Sequence, residues 1–479
     1  MGAGIFRAAC WFGTTRHVLL EVNYTEGAAE IYTLPLQIAR DENAHRISRE
    51  AQQAVIAEFA DSNAILHDAT FDPDYRAEIY RIIREQRKLR ARRGEILGSP
   101  SAQFAAAEDL SANSRVMRGE QSNSSILFGT QYFLKIFRKL EEGINPDVEI
   151  TRFLTERAKF PNVPAFAGTL EYRSGKNTVV LALLLSAIAN EGDAWNFTLD
   201  SIGSYYERVL SRKADLNEIG STQLIQELIG GIYPEKARLL GQRTGELHRA
   251  LASETDDPAF APEPFNALAQ RSVVQSMRAS LRRAFELLRK KLDDLPEAFR
   301  AEAEEVLAAE KQILAQERRL LEQRSAAHKI RIHGDFHLGQ ALHTGRDFIF
   351  LDFEGEPARP LGERKLKRSA LRDVTGMMRS FQYAAYSALW QPAMRQEDVP
   401  FLEKWADVWY REMSSTFMQS YLAATPDALF IPRNEADLSI ALEAYLLDKA
   451  VYEIGYELNH RPDWVVIPIR GIKHILKSG

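Results

Sequence analysis

The segment IRIHGDFHLGQALHTGRDFIFLDFEGEP (330–357) constrains the fold of this chain more than any other stretch. Short apolar strand patterns alternate there with loops crowded by His, Asp, Gln and Glu. Strands packed on both faces do not carry such groups, so these loops belong to a site and not to a core. The segment also interrupts a helical half. Residues 267–325 are rich in Leu, Ala, Glu, Arg and Lys, broken around Leu295-Pro296. They predict long helices that pack on their own domain rather than on a coiled-coil partner.

The other half is richer in strand signals. Residues 17–38 alternate apolar and polar around Glu26-Gly27, which predicts a hairpin. From Asn43 to Arg93 the pattern is helical, and seven of the 13 positions 81–93 are Arg or Lys. Without interleaved aromatics that run reads as a solvated helix face, not a nucleic-acid site. Gly94 to Asn113 reads as a linker with a break at Gly98-Ser99-Pro100. SILFG and YFLKIF (125–137) predict a second hairpin around Gly129-Thr130, and Asn145-Pro146-Asp147 predicts a helix start. Residues 177–189 are too apolar for a half-exposed strand and predict a buried central one.

Composition narrows the class. With 61 Lys+Arg against 66 Asp+Glu, the net charge of −5 in 479 residues argues against wholesale nucleic-acid binding. A single cysteine, Cys10, forms no internal disulfide, which fits a reducing compartment. The longest nearly apolar stretch, 179–189, falls short of the roughly 20 residues a bilayer requires. A cytoplasmic protein without membrane segments is expected.

Several chemistries drop out by motif. Gly175-Lys176 lacks the rest of a Walker A loop, and no Rossmann fingerprint or Gly-x-Ser-x-Gly elbow occurs. One cysteine excludes a thiolate zinc site, and His333 and His337 lack a helical metal-binding context. Phosphoryl transfer survives. Asp335 precedes Gln340 by five residues and Asp352 by a further twelve, the order of a catalytic loop followed by a metal-binding Asp. One carboxylate must accept the proton of the attacking hydroxyl, while another carboxylate and an amide oxygen hold Mg²⁺ against phosphates. Asp335, Asp352 and Gln340 are expected in those roles, with His333 bracing the loop. The scheme also requires a strand lysine paired with a helical carboxylate. Lys135 and Glu149 are the candidates. Gly119 to Ser125 would cover the phosphates, with Gln121, Ser122, Asn123 and Ser124 as contacts, and Ser186, Ala187 and Ile188 would form the adenine hinge.

With these residues in place the chain resembles the maltokinases. The resemblance runs from about Leu19 to the C-terminus through GEQSNSS (119–125), LKIFRKLEEGINPDVE (134–149), NEGDAW (190–195), GQRTGELHRAL (241–251), HGDFHLGQ (333–340), FLDFEGEP (350–357), LRDVTGMMRSF (371–381) and LLDKAVYEIGYELNHRPDW (446–464). It implies an α+β, eukaryotic-protein-kinase-like bilobal fold in three parts: an N-terminal cap with linker (1–110), an ATP-binding region (111–190) and a helical C-lobe (191–479). The opening before Leu19 departs from the family's start, and is read as a truncated cap or a lost upstream domain. The resemblance further implies ATP and Mg²⁺ as cofactors and maltose as acceptor, phosphorylated at its anomeric hydroxyl. Trehalose synthase is the implied partner, in a route to α-glucan such as glycogen. Glu354 is expected beside the metal, since Asp-Phe-Glu is the family's pattern.

The acceptor site is expected around His333 and on one helical face carrying Lys449, Tyr452, Glu453 and Tyr456, which combine charge, amide-like acceptors and aromatic surface. Arg372 and Asp373 are expected to form an ion pair or to brace a loop. Two other readings stand beside maltose: a kinase for another sugar such as glucosamine, and a non-catalytic kinase-like module that regulates trehalose synthase.

Overall fold

Residues 17–38 fold as the antiparallel hairpin their pattern predicts. The computed structural model describes residues 4–60, 62–106, 108–117, 123–212, 222–322, 327–392 and 394–478. Strands β1 (Gly4–Phe12), β2 (Thr15–Val22), β3 (Glu30–Arg40), β4 (Val55–Phe59) and β5 (Ala64–Asp68) form an antiparallel cap sheet in the order β1-β2-β3-β5-β4. Helix α1 (Asp41–Glu50) lies against it, with Ala39, Ala44, Ile47, Ala54 and Ile65 as its small apolar core.

A second sheet takes the rest of this unit. Its order is β6-β7-β12-β13-β10-β9-β8, built from β6 (Lys88–Arg90), β7 (Glu95–Pro100), β8 (Ser114–Val116), β9 (Asn123–Phe128), β10 (Tyr132–Phe137), β12 (Phe166–Ser174) and β13 (Asn177–Ser186). Residues 179–185 of β13 are buried with neighbours on both sides, as the apolar run predicts. The two-residue β11 (Lys139–Leu140) leaves this sheet and pairs with β3 of the cap. Helices α2 (Pro73–Arg84), α3 (Ala102–Ala105) and α4 (Pro146–Glu156) complete the unit. Asn145 caps α4 by accepting the Asp147 amide, with Pro146 in the first turn.

Three expectations are corrected here. Residues 43–93 are not continuously helical, because β4 and β5 separate α1 from α2. The basic run does not end as a helix face: Lys88 and Arg90 sit on strand β6. Residues 94–113 are not a linker either. Gly98 lies in β7, where a methyl group would collide with the Ile82 carbonyl of α2. Its glycine marks a close approach of strand to helix, not a break in the fold.

The chain divides into two compact units, Met1–Ala189 with Arg359–Glu363, and Asn190–Ala358 with Arg364–Gly479. The second is mainly helical: α5 (Ala194–Arg212), α6 (Thr222–Ile229), α7 (Tyr233–Leu251), α8 (Ala267–Lys290), α9 (Glu297–Ala308), α10 (Glu310–Arg319), α12 (Leu371–Ala388), α13 (Val399–Ala424), α14 (Glu435–His460) and α15 (Val466–Ser478), while the short α11 (Leu361–Arg364) falls mostly in the first. Leu281, Phe285 and Leu288 of α8 bury against Leu447, Val451 and Ile454 of α14 and Ile469 and Ile472 of α15. The long helices therefore pack within their own unit. Two small antiparallel pairs interrupt them, β14 (Glu263–Pro264) with β15 (His328–Lys329) and β16 (Ala341–His343) with β17 (Phe348–Phe350). Among the described residues no helix is long and apolar enough to cross a membrane.

Candidate functional site

In the helical unit, the loop between β15 and β16 is held from below. The Asp373 carboxylate of α12 accepts the amides of His333 at 2.7 Å and Gly334 at 2.9 Å. His248 of α7 adds a third contact at 3.1 Å and is itself fixed by the Tyr421 hydroxyl at 2.9 Å. Burial alone would raise the Asp373 carboxyl, but the His248 bond and charge outweigh it and hold the group below the usual carboxylate range. Asp373 is thus the loop brace that its sequence context predicts. Arg372 pairs instead with Asp448 of α14 at 3.0 Å.

His333 is buried, and its Nε2 lies 2.7 Å from the Leu351 carbonyl, which it reaches as a donor. Its Nδ1 then accepts the Asp335 amide at 3.4 Å. Both nitrogens serve the loop, which corrects the expectation that His333 touches an acceptor. Its ring ties the strand before Asp352 to the loop of Asp335. Gln340 Nε2 donates to Asp352 Oδ2 at 3.1 Å, so the two expected metal ligands are adjacent. Asp352 has φ of +63°, a left-handed conformation that Asp tolerates better than most residues but that costs energy. A carboxylate oxygen of Asp352 and one of Glu354 lie within 4.8 Å of each other. Two carboxylates and an amide oxygen form a hard-oxygen set, the donor chemistry that suits Mg²⁺.

Beside this cluster, Lys449 Nζ of α14 lies 3.5 Å from Asp335 Oδ1 and 3.8 Å from Glu356 Oε1, and 5.0 Å from the Tyr452 ring centroid. Burial would lower the lysine, but Asp335 and Glu356 overcome it and raise it above its ordinary value. Burial lowers His337 from its ordinary value against the opposing charge of Asp335, with the Lys449 charge adding to the effect of burial. Glu356 is a site carboxylate that the sequence reading left out. Glu453 must be reassigned. Its Oε2 accepts Arg379 Nε at 2.9 Å and Nη2 at 2.6 Å inside the core, so the residue is committed to a buried ion pair. Tyr452 and Tyr456 line an open groove of about 340 Å³ with Ser280, Arg283, Gly455 and Asn459. Tyr456 is exposed and stacks on His460.

The strand-rich unit carries the other expected residues. Lys135 is buried in β10 with its Nζ 3.1 Å from Asp147 Oδ2 of α4. The sequence reading chose Glu149; Asp147, also in the first turn of α4, is a partner it missed. Ser125 stands opposite Lys135 in the β9–β10 ladder and shares its face. Ser124 then points to the other face, where its Oγ accepts Arg138 Nε at 2.9 Å and Nη2 at 2.7 Å. This corrects Ser124 as a side-chain contact for phosphate. Asn123 opens β9, opposite Phe137; Gln121 and Ser122 lie outside the described residues. At the end of β13, the Ser186 amide donates to the Ala165 carbonyl at 2.8 Å and the Ala187 amide to that of Gln131 at 2.7 Å. Those two amides serve the lobe and not a base. Ile188 follows directly in the chain.

No family model matches the chain. It is similar to a glucosamine kinase of Streptacidiphilus jiangxiensis, at 24% identity over 359 residues that cover 74% of this chain and 72% of that protein. A glucosamine kinase of Mycolicibacterium smegmatis is 28% identical over 152 residues, 31% of this chain and 34% of the other. The solved structure of a glucosamine kinase in complex with glucosamine, ADP and inorganic phosphate superposes with a TM-score of 0.64 at 19% identity, covering 99% of this chain and 94% of that one. A second crystal form gives 0.65 at 19% identity, covering 99% and 92%. The chain therefore has the fold of the solved glucosamine kinases, here built from one strand-rich and one helical unit.

Proposed function

We propose that this chain is an ATP-dependent sugar kinase, with the anomeric hydroxyl of maltose as its acceptor group. The observation that carries the reading is the loop of Asp335, fixed by Asp373 and faced by Lys449. A braced carboxylate beside a retained cation can accept the proton of a sugar hydroxyl while that oxygen attacks the terminal phosphorus of ATP. The bond from that phosphorus to the bridging oxygen breaks, and ADP leaves. Gln340, Asp352 and Glu354 would hold Mg²⁺, which neutralises phosphate charge when bound. Lys135, steadied by Asp147, would bind the nucleotide phosphates. Retention of Lys135, Asp335, Gln340 and Asp352 together speaks against a non-catalytic module.

A neutral acceptor such as maltose rests on the sequence resemblance, since Asp335 and Glu356 offset the charge of Lys449. A second reading, glucosamine as acceptor, is favoured by the proteins this chain resembles. Trehalose synthase as partner and a place in α-glucan synthesis belong to the maltose proposal and rest on sequence resemblance. The test is ADP release from Mg-ATP with maltose, glucose, glucosamine and maltotriose. Preference for maltose supports the first reading and preference for glucosamine the second. No release with any sugar removes both.

A further inference from the structure

Residues 132–140 run through both sheets of the strand-rich unit. Strand β10 belongs to the seven-stranded sheet, β11 pairs with β3 of the cap, and Arg138 is the single residue between them. Its carbonyl accepts the Thr33 amide of β3 at 2.9 Å. Its guanidinium reaches two ways. Nη2 lies 2.6 Å from Asp68 Oδ2, the last residue of cap strand β5, and 3.1 Å from Thr70 Oγ1. Both Nε and Nη2 also donate to Ser124 Oγ on β9. The Asp68 carboxylate is held in turn, with Oδ1 accepting the Thr70 amide at 2.9 Å and its hydroxyl at 2.6 Å. The side chains of Arg138 and Asp68 are 19% and 18% exposed, so solvent screens this pair less than it would an ordinary surface pair.

Strand β9 starts at Asn123, opposite Phe137 in the β10 ladder. Ser124 is tied to Arg138, and the next residue, Ser125, stands across from Lys135. We propose that Asp68 and Arg138 are positioning residues for nucleotide binding: the cap aims Arg138 at Ser124, and this sets where Ser125 lies against Lys135. The nucleotide part rests on the sugar-kinase reading; the mechanical link does not.

The test uses the full chain and the variants Asp68→Asn, Asp68→Glu and Arg138→Lys. ADP affinity is measured by calorimetry, steady-state constants with the best acceptor, and amide exchange of β9 without ligand. Asp68→Asn keeps the shape but loses the charge that aims Arg138. It should weaken ADP binding and raise KM for ATP by about five- to tenfold, with kcat and the acceptor KM within about twofold. Exchange should quicken at 123–126, and Asp68→Glu should recover part of both effects. Arg138→Lys, which keeps charge without the fork, should resemble Asp68→Asn. Unchanged ADP affinity and unchanged exchange at 123–126, with only a lower melting temperature, would overturn the proposal. If the wild-type chain binds no nucleotide, the sugar-kinase reading and the nucleotide part fall together, while the exchange data still decide the link to the cap.

Discussion

Lys449 Nζ and Asp335 Oδ1 stand 3.5 Å apart, and the preceding residue of α14, Asp448, pairs with Arg372 of α12, the helix whose Asp373 braces the loop. The lysine's stem comes from a helix packed into the core, so its charge is delivered to the loop in one place. Asp335→Asn should leave folding and ADP binding intact and lower turnover by about 10²- to 10⁴-fold, the range for a lost general base. Lys449→Gln should lower kcat/KM for the acceptor by about 10- to 100-fold with KM for ATP unchanged. Near-normal turnover of Asp335→Asn would sink the mechanism.

Gly376 offers a test of loop placement from behind. On α12 its Cα approaches the loop so closely that an added methyl would meet the Phe336 carbonyl oxygen at 2.6 Å. Gly376→Ala should push the backbone next to Asp335 and cost about 1–3 kcal/mol of stability. Turnover should fall while ADP affinity holds. Kinetics on the purified variant beside urea unfolding would show whether both changes occur.

Glu317 of α10 is buried, and neither carboxylate oxygen has a hydrogen-bond partner among the described residues. Burial, helped by the Asp448 charge, pushes it up to about 8. In the unfolded chain it ionises near its ordinary value, so between those two values the folded state holds the extra proton. Stability therefore falls as pH rises toward 8. Glu317→Gln should match the wild type near pH 5 and exceed it near pH 9 by about 1–3 kcal/mol in urea unfolding. An equal difference at both pH values would remove the assignment.

His17 shows the opposite slope. It is enclosed between the Tyr75 hydroxyl at 2.8 Å and Thr33 Oγ1 at 2.7 Å. Burial first, and the Arg138 charge second, lower it to about 3. Between the ordinary histidine value and 3 the unfolded chain binds a proton that the folded cap refuses, so the cap loses stability as pH falls through that window. His17→Asn should be less stable at neutral pH yet lose less on acidification. Urea midpoints at pH 7 and pH 4.5 would decide this.

What the sequence revealed follows from how locally each feature is encoded. Asn145 announces a helix because a cap acts on amides two residues away. Asp335, Gln340 and Asp352 were legible through spacing alone, and the Gln340–Asp352 contact agrees with it. Asp147 and Glu149 are both acids in one helical turn, and spacing did not point to Asp147, which approaches Lys135 at 3.1 Å. Glu453 looked like a sugar ligand because nothing near it in sequence reveals Arg379, which arrives from α12. Gly98 looked like a break because its reason, the backbone of α2 against it, is tertiary. The basic run misled similarly: a cation every third or fourth residue fits a helix, but the chain leaves α2 after Arg84 and spends Lys88 and Arg90 on a strand.

The passage of one strand from sheet to sheet through Arg138 bears on how such chains can be recombined. A chimera that takes the cap from one relative and the second sheet from another would cut across the contacts of Arg138 with Asp68, Thr70, Thr33 and Ser124. The four positions are scattered in sequence but would have to be exchanged together. The boundary of an exchangeable piece in this fold is therefore drawn by one residue's contacts and not by any loop.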